Sequence, residues 1–420
     1  MMIIYLLPYG KGTISFDLPN GVDPDWINYH QKNNAPGDWL SMALENPIDS
    51  KRLQQAAAGS RSAVILISDM SRLSPSYLFA GRLLDELNAA GIRDEQIRII
   101  VALGSHRKQT EEELISLTGL TAYKRVQVLN HSALPEDCIA VGVSRAGTPI
   151  EINRHVVEAE FRIVTGNIEP HRLAGVSGGV KALMPGVAST RTIEHNHSLS
   201  QMHKAEPGQP DNPLRLDMEE ALRFVPIHFL LNVIVDHERN VLDAFAGDVI
   251  AAHRAGIEAA RSRFIVEAPH LYDVVLVSAG GHPKDTQLYQ ALKALTNAAA
   301  ITRPGGSLVL VAQCEELFGN GIFQHWVETI GDRQIMLAKL KEKFVLGAHK
   351  IEHIDSILQH HPVYLFSQMP EALVRLMGFH PVSDLNHTLS LRLEQSGRNI
   401  AVMPYGGLTY PYVQTMPSNK

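Results

Sequence analysis

Histidine is over-represented in this 420-residue chain, with 20 copies, and imidazole is both the proton carrier of neutral pH and the commonest metal ligand. Four positions where such chemistry could sit follow apolar, β-branched runs: Asp69 and Arg72 after SAVILIS, His106 and Arg107 after IRIIVALGS, His131 after VQVLN, and His171 after FRIVTGNIEP. Taken singly each has an ordinary reading, Asp69 as a helix cap, the arginines as solvated charges and the histidines as loop residues. Histidines and arginines converging on one sheet edge would instead supply proton transfer together with recognition of an anion such as a carboxylate or phosphate.

The segment GVSGGVKALMPGVASTRTIEHNH, residues 175–197, is the most informative. Gly178 and Gly179 allow close approach of backbone to a ligand, Lys181 falls at a helix start, and backbone N–H groups there suit a phosphate. It is not a P-loop, because no GK[ST] follows a correctly spaced glycine, and the chain has no GxGxxG after a strand, so ordinary nucleotide and NAD motifs are absent. On TRTIEHNHS, His195 and His197 are two residues apart, so a helix directs them to different faces and one of them serves a given site. His195 then reads as solvent-facing. Further along, SAGGHPKDTQLYQALK puts Tyr289 and Lys293 at i, i+4 on one helix face with Gln290 beside Tyr289; its ordinary reading is a capped amphipathic helix. His349, Glu352 and His353 in HKIEH match the HxxEH pattern of inverted zinc proteases, but the match is five residues long and lacks a downstream glutamate ligand, so these histidines read as structural.

The elements that must hold these residues alternate. SAVILISD (62–69), a helix over 74–90, IRIIVALG (97–104), a helix near 110–118, RVQVLNH, CIAVGV, a helix near 151–159 and FRIVTGNI (161–168) have βαβ rhythm, so the first half predicts a parallel α/β sheet. MMIIYLLPY reads as a first strand. After an exposed loop, KAEPGQPDNP (204–213), a helix over 247–263 leads into a second α/β unit carried by DVVLVSAGG (273–281), a helix to residue 300, GGSLVLVAQC (305–314), PVYLFSQ (362–368) and IAVMPYGG (400–407). The expected architecture is two α/β domains with mainly parallel sheets, over 1–265 and 266–420, with the active site in the cleft between them.

Composition bounds the partners. With 45% hydrophobic and 20% charged residues the chain can bury large cores, and a formal charge of -6 gives no basic field for nucleic acid. Cys138 and Cys314 form no CxxC or disulfide framework, which fits a reducing cytoplasm. No apolar run approaches the roughly 18 to 20 residues that span a bilayer, and the N-terminus lacks a basic region and a cleavage site. A soluble enzyme with a small-molecule partner is expected, with neither nucleic acid nor membrane.

Read together, SDMSR (68–72), GSHR (104–107), EPH (169–171), GGVKALMPG (178–186), TIEHNH (192–197) and GGHPKDTQLYQALK (280–293) resemble, in order and spacing, the nickel-pincer lactate racemases over about residues 1–410. The resemblance implies a nickel ion in a pincer nucleotide, a pyridinium mononucleotide with two sulfur donors and a metal-bound ring carbon, attached covalently to Lys181 near Gly178 and Gly179. It places the nickel-ligating histidine on His197, the acid/base histidines on His106 and His171, the orienting aspartate on Asp69, the substrate arginine on Arg72 and the substrate-side trio on Tyr289, Gln290 and Lys293. Two sulfurs, a carbon and an imidazole would suit square-planar Ni(II). Enzymes that make the cofactor become expected partners.

The implied activity is racemisation or epimerisation at the hydroxyl-bearing carbon of a small 2-hydroxy acid. Its carbon-bound hydrogen is too weakly acidic for a histidine to remove, and a hydride route avoids the carbanion: one histidine takes the hydroxyl proton as hydride moves to the pyridinium carbon, leaving a planar 2-keto acid reducible on either face. Arg72 and Lys293 would hold the carboxylate and ketone oxygens. Ser71 and Leu73 stand where the family often has Thr and Pro, Ser132 where an aspartate is common, and His282 where GGYP has an aromatic residue. A sugar-acid 2-epimerase with the same cofactor and a non-catalytic cofactor-binding homologue are the alternatives, and retention of both His106 and His171 argues against the second.

Overall fold

The computed structural model describes residues 3–31, 37–171, 173–201 and 205–414. The chain divides into two compact units, Gln31–Arg261 on one side and Met1–His30 with Ser262–Lys420 on the other. The expected boundary at 265 falls close to the second junction, but the first thirty residues belong with the C-terminal half. The cause is apolar: Leu7 and Phe16 of an antiparallel hairpin (Ile4–Tyr9 with Gly12–Asp17), and Val22 after it, pack with Val274, Leu276, Val309 and Val311 in one cluster. Polar contacts reinforce it, with the Ser278 hydroxyl donating to the Pro8 carbonyl at 2.6 Å and the Gly10 N–H to Asp285 Oδ2 at 2.6 Å.

The Gln31–Arg261 unit is built on a six-stranded sheet of β1 (Ala63–Ser68), β2 (Ile97–Ala102), β3 (Gln127–Asn130), β4 (Phe161–Asn167), β5 (Phe229–Val235) and β6 (Val241–Gly247), in spatial order β6-β5-β4-β1-β2-β3. All neighbours are parallel except β5 and β6, which form a hairpin. Val64, Ile65, Leu66 and Ile67 are each at most 1% exposed, the signature of a strand covered on both faces. Helix α1 (Ser76–Ala89) makes the crossover from β1 to β2, burying Phe79, Ala80, Leu83, Leu84 and Leu87 at helical spacing. One expected sheet member lies elsewhere: CIAVGV (Cys138–Val143) pairs antiparallel with Pro149–Asn153 in a separate two-stranded sheet, and the helix expected over 151–159 is confined to Arg154–Glu158. Pro149 and the Arg145–Ala146 turn favour a hairpin return over a crossover.

In the other unit β7 (Tyr272–Ser278), β8 (Thr302–Val311), β9 (Val363–Phe366), β10 (His380–Val382) and β11 (Ile400–Met403) form a parallel sheet in the order β10-β9-β8-β7-β11, extended at the β11 edge by Asp25–Trp26. Among the described residues no helix is long and apolar enough to cross a membrane.

Candidate active site

The carboxyl ends of β1 and β2 are adjacent because Ser68 and Ala102 are register partners, so the loops that begin at Asp69 and Leu103 leave the sheet side by side. Asp69 is 3% exposed. Its Oδ1 accepts the backbone N–H of Ser71 at 2.8 Å and also the Ser71 hydroxyl, while Oδ2 lies 2.8 Å from Nδ1 of His106. Burial alone would raise the Asp69 pKa, but the adjacent His106, the charge of Arg72 and the Ser71 hydroxyl together hold it well below the carboxylate range. An ionised Asp69 can only accept, so Nδ1 of His106 carries the proton and Nε2 carries the lone pair of a base.

His171 stands four residues beyond the end of β4, on the short strand Pro170–His171 paired with Gly175–Val176. Its Nδ1 accepts the N–H groups of Leu173 and Ala174, each at 3.2 Å. That places the ring proton of neutral His171 on Nε2, the opposite tautomer to His106. Arg72 is half-buried after β1, and its charge acts on both Asp69 and Lys181. The other arginine singled out, Arg107, is exposed and forms a bidentate pair with Glu113 at 2.7 and 2.8 Å, which accounts for it outside the site.

Gly178 and Gly179 adopt φ of 74° and 61°, values that favour glycine, and lead into the short 3-10 turn Gly179–Ala182 that carries Lys181. What approaches these glycines closely is protein. A Cβ at Gly178 would meet Asn232 Oδ1 at 2.6 Å, and one at Gly179 would meet Arg215 Nη2 at 2.6 Å and His253 Nδ1 at 2.9 Å. The N–H of Gly179 donates to Asn232 Oδ1 at 2.7 Å and that of Ser177 to the Glu169 carbonyl at 2.8 Å, so two of the donors expected to suit a phosphate serve the loop itself. The far end of the segment joins the His106 loop, the Gly104 N–H donating to the Gly186 carbonyl at 2.9 Å. Lys181 is half-buried; loss of water, then the charges of Arg72 and Arg215, push its ammonium pKa well below the ordinary value, against an opposing pull from Glu169.

Helix α2 (Thr190–Ser198) carries the two spaced histidines. Nδ1 of His197 donates to the Ile193 carbonyl at 3.0 Å, which puts the lone pair on Nε2, the arrangement of a metal-ligating imidazole. His195 is half-buried rather than solvent-facing: its Nδ1 lies 2.9 Å from the Thr148 hydroxyl, which donates to the buried Asp217 at 2.7 Å. His131 is 2% exposed, donates from Nε2 to the Ala188 carbonyl at 3.0 Å and accepts Asn153 Nδ2 at 3.2 Å. Burial pushes its pKa down to about 4 despite the Ala188 bond, so it is a neutral structural histidine.

In the other unit Tyr289, Gln290 and Lys293 lie in the first two turns of α5 (Leu288–Ala299), with Gln290 buried and the others half-buried. The Lys350 ammonium sits 4.5 Å from the centre of the Tyr289 ring, and the His349 ring meets it edge-on at 6.2 Å. His349 is held by stacking on Phe344 at 5.3 Å and accepts the Gly347 N–H at 3.1 Å. Among the described residues no three His, Cys, Asp or Glu side chains gather as a metal site, so HKIEH builds no zinc centre there.

A family model described as the lactate racemase N-terminal domain matches residues 9–208, and one described as the lactate racemase C-terminal domain matches residues 268–407. The chain belongs to the lactate racemase family. Its relatives include the lactate racemase of Thermoanaerobacterium thermosaccharolyticum, 31% identical over 415 residues (95% of this chain, 97% of that protein), and the lactate racemase of Lactiplantibacillus plantarum, 30% identical over 421 residues (96% and 99%). The structure of the lactate racemase apoprotein from T. thermosaccharolyticum matches with a TM-score of 0.87 at 30% identity, over 98% of this chain and all of that one. A Thermotoga maritima protein shares the fold, with a TM-score of 0.69 at 19% identity over 88% of this chain and 99% of that one. The lactate racemase N-terminal model includes residues 9–30, which here lie in the unit formed mainly by the C-terminal half. Sequence reading missed Arg215, His253, Asn232 and Glu169, all at most 2% exposed and all gathered around the Lys181 loop.

Proposed function

We propose that this chain inverts the hydroxyl-bearing carbon of a small 2-hydroxy acid, lactate foremost, using a nickel-pincer nucleotide carried on Lys181. The observation that carries the reading is the 2.8 Å Asp69–His106 contact at the carboxyl edge of the sheet, joined through Gly104 and Gly186 to the segment bearing Lys181. The residues fit the implied group: with Nδ1 donating to the Ile193 carbonyl, His197 carries its lone pair on Nε2, the donor chemistry that suits Ni(II), and the desolvated Lys181 amine suits covalent attachment. Bound there, the group would supply an acceptor for the hydrogen of the substrate carbon.

The chain's own residues do the remainder. Arg72 holds the substrate carboxylate. His106 takes the hydroxyl proton at Nε2, and the ionised Asp69 behind it stabilises the resulting imidazolium. His171 serves the opposite hydroxyl position; with Nδ1 occupied by two backbone N–H groups it presents Nε2–H to an oxygen, and taking a proton there requires those contacts to release. Tyr289, Gln290 and Lys293 are assigned to substrate binding, Lys293 adding positive charge for a developing alkoxide. Enzymes that make the nucleotide are the expected partners, and the two free, buried cysteines fit the cytoplasm.

The test is chiral chromatography of L-lactate incubated with protein co-produced with the cofactor-making enzymes, beside its intact mass. Appearance of D-lactate with a nucleotide adduct on Lys181 supports the reading. A fully loaded protein that inverts neither lactate nor any of a panel of 2-hydroxy acids, a sugar acid included, sinks it.

A further inference from the structure

Arg215 has no exposed surface at all, and every nitrogen of its guanidinium is engaged. It sits in the first turn of α3 (Pro213–Glu220), where Nε donates to Glu219 Oε1 at 3.2 Å, Nη1 to the carbonyls of Val176 at 3.3 Å and Gly178 at 3.2 Å, and Nη2 to Nδ1 of His253 at 2.9 Å. His253, in the first turn of α4 (Ala251–Phe264) and 1% exposed, completes the set by donating from Nε2 to the Ser177 carbonyl at 2.8 Å. Because a guanidinium only donates, Nδ1 of His253 must accept and Nε2 must carry the proton. Three consecutive carbonyls, of residues 176 to 178, are thus gripped by one Arg–His pair.

We propose that the buried Arg215–His253 pair is the positioning device of the Lys181 loop, fixing its backbone and setting a cation against the lysine it presents. A buried ion is poor evidence for stability, since apolar residues of like volume often serve as well, and is better understood where it specifies a geometry. Gly179 shows how tight that geometry is, because even a methyl group there would collide with both partners. The groups whose charge acts on the Lys181 amine are Arg72 and Arg215, which disfavour its ammonium form, and Glu169, which opposes them; His253 in turn feels the charge of Lys181. Burial and Arg215 keep His253 neutral well below its ordinary pKa, so the grip persists across the neutral range. Its purpose rests on the reading of Lys181 as the cofactor lysine, but its existence does not.

The experiment uses protein made without the cofactor enzymes, acetylated briefly with acetic anhydride between pH 6 and 11. Peptide mass spectrometry follows Lys181 against the exposed Lys51 as internal reference. In wild type the acylation midpoint of Lys181 should lie at least one pH unit below that of Lys51. Arg215→Met should move it upward by about one unit and Arg215→Lys should hold it. His253→Gln, which can accept from Arg215 and donate to Ser177, should keep the hydrogen-exchange protection of residues 176–182, whereas His253→Leu should lose it at least ten-fold. Equal midpoints for Lys181 and Lys51 in wild type, or an unchanged midpoint in Arg215→Met, overturn the proposal. Should Arg215→Met fail to fold, identical behaviour of the Gln and Leu variants at 253 overturns it instead. A missing adduct in co-produced protein counts against Lys181 as the tether and leaves this acylation result standing.

Discussion

Nδ1 of His106 donates to Oδ2 of Asp69 at 2.8 Å, and that single contact decides which ring nitrogen of His106 can act as a base. Asp69→Asn keeps the shape but allows the amide to present a donor to Nδ1, favouring the wrong tautomer. Turnover should fall by about 10² to 10⁴ with the Lys181 adduct intact. A loss under ten-fold, measured with intact mass in parallel, would remove Asp69 from the orienting role.

The pH sign for Asp69 follows from its depressed pKa. Whatever stability its ionised contacts contribute is present above about pH 3.9, the unfolded carboxylate value, and is lost only as the pH falls from there through the folded value. Below about pH 4 the urea midpoint of wild type should therefore fall more steeply with decreasing pH than that of Asp69→Asn. Equal slopes for the two proteins below that pH would contradict the assignment.

The two candidate acid/base histidines should be separable from the structural ones. His106→Ala and His171→Ala are each expected to lose about 10² to 10⁴ in turnover while retaining the adduct. His131→Ala and His349→Ala should lose far less, because those rings are spent on Ala188 and Asn153 in one case and on Phe344 and Gly347 in the other. Steady-state rates with matched cofactor loading decide it.

Much of this site was legible because the polar residues sit immediately after apolar runs, and strand ends are where a parallel sheet gathers its loops. Asp69 and His106 became a pair once β1 and β2 were neighbours in register. The grouping of the first thirty residues with the C-terminal half is not legible in sequence, because a hairpin's amphipathic pattern does not say which sheet it covers; Leu7 and Phe16 would fit either core. Arg215 was invisible for a related reason. In PLRLDMEE an arginine between two leucines reads as solvated, and only the fold shows that it faces the Lys181 loop while Leu216 is 48% exposed. In sequence His195 reads as a surface residue, since its partner Thr148 lies 47 positions away.

His131 should leave a mark on acid stability. Its folded pKa of about 4 lies below the unfolded value near 6.5, so its contribution is complete above pH 6.5 and is lost as the pH falls toward 4. The shift corresponds to roughly 3 kcal/mol as an upper figure. His131→Gln is expected to lower stability at pH 7 but to flatten its decline between pH 7 and 5. Urea titrations at the two pH values test this, and an unaltered decline would show that other buried histidines carry the acid sensitivity.

Gly179→Ala should be costly twice over. Its φ of +61° is unfavourable for a residue with a Cβ, and that Cβ would meet Arg215 and His253 within 3 Å. A loss of about 1 to 3 kcal/mol is expected from the backbone alone, together with a fall in adduct yield. A variant as stable as wild type and fully loaded would mean that the loop relaxes freely.

Isotope retention tests what the histidines do not do. A 2-hydroxy acid carrying deuterium on its hydroxyl-bearing carbon is incubated with loaded enzyme in ordinary water, and the inverted product is isolated. His106 is partly solvent-exposed, its side chain at 23%, so a deuteron taken up by its ring as an acid proton would exchange with water before it could return. If His106 and His171 handle only the hydroxyl proton, the carbon-bound label never resides on nitrogen and the product keeps it. Inverted product that retains its deuterium, formed more slowly than the unlabelled one if cleavage of that bond limits turnover, is the expected result. Extensive washout into product, with the Lys181 adduct intact, would mean that an imidazole removes the carbon-bound hydrogen directly and would overturn the division of labour proposed for the two histidines.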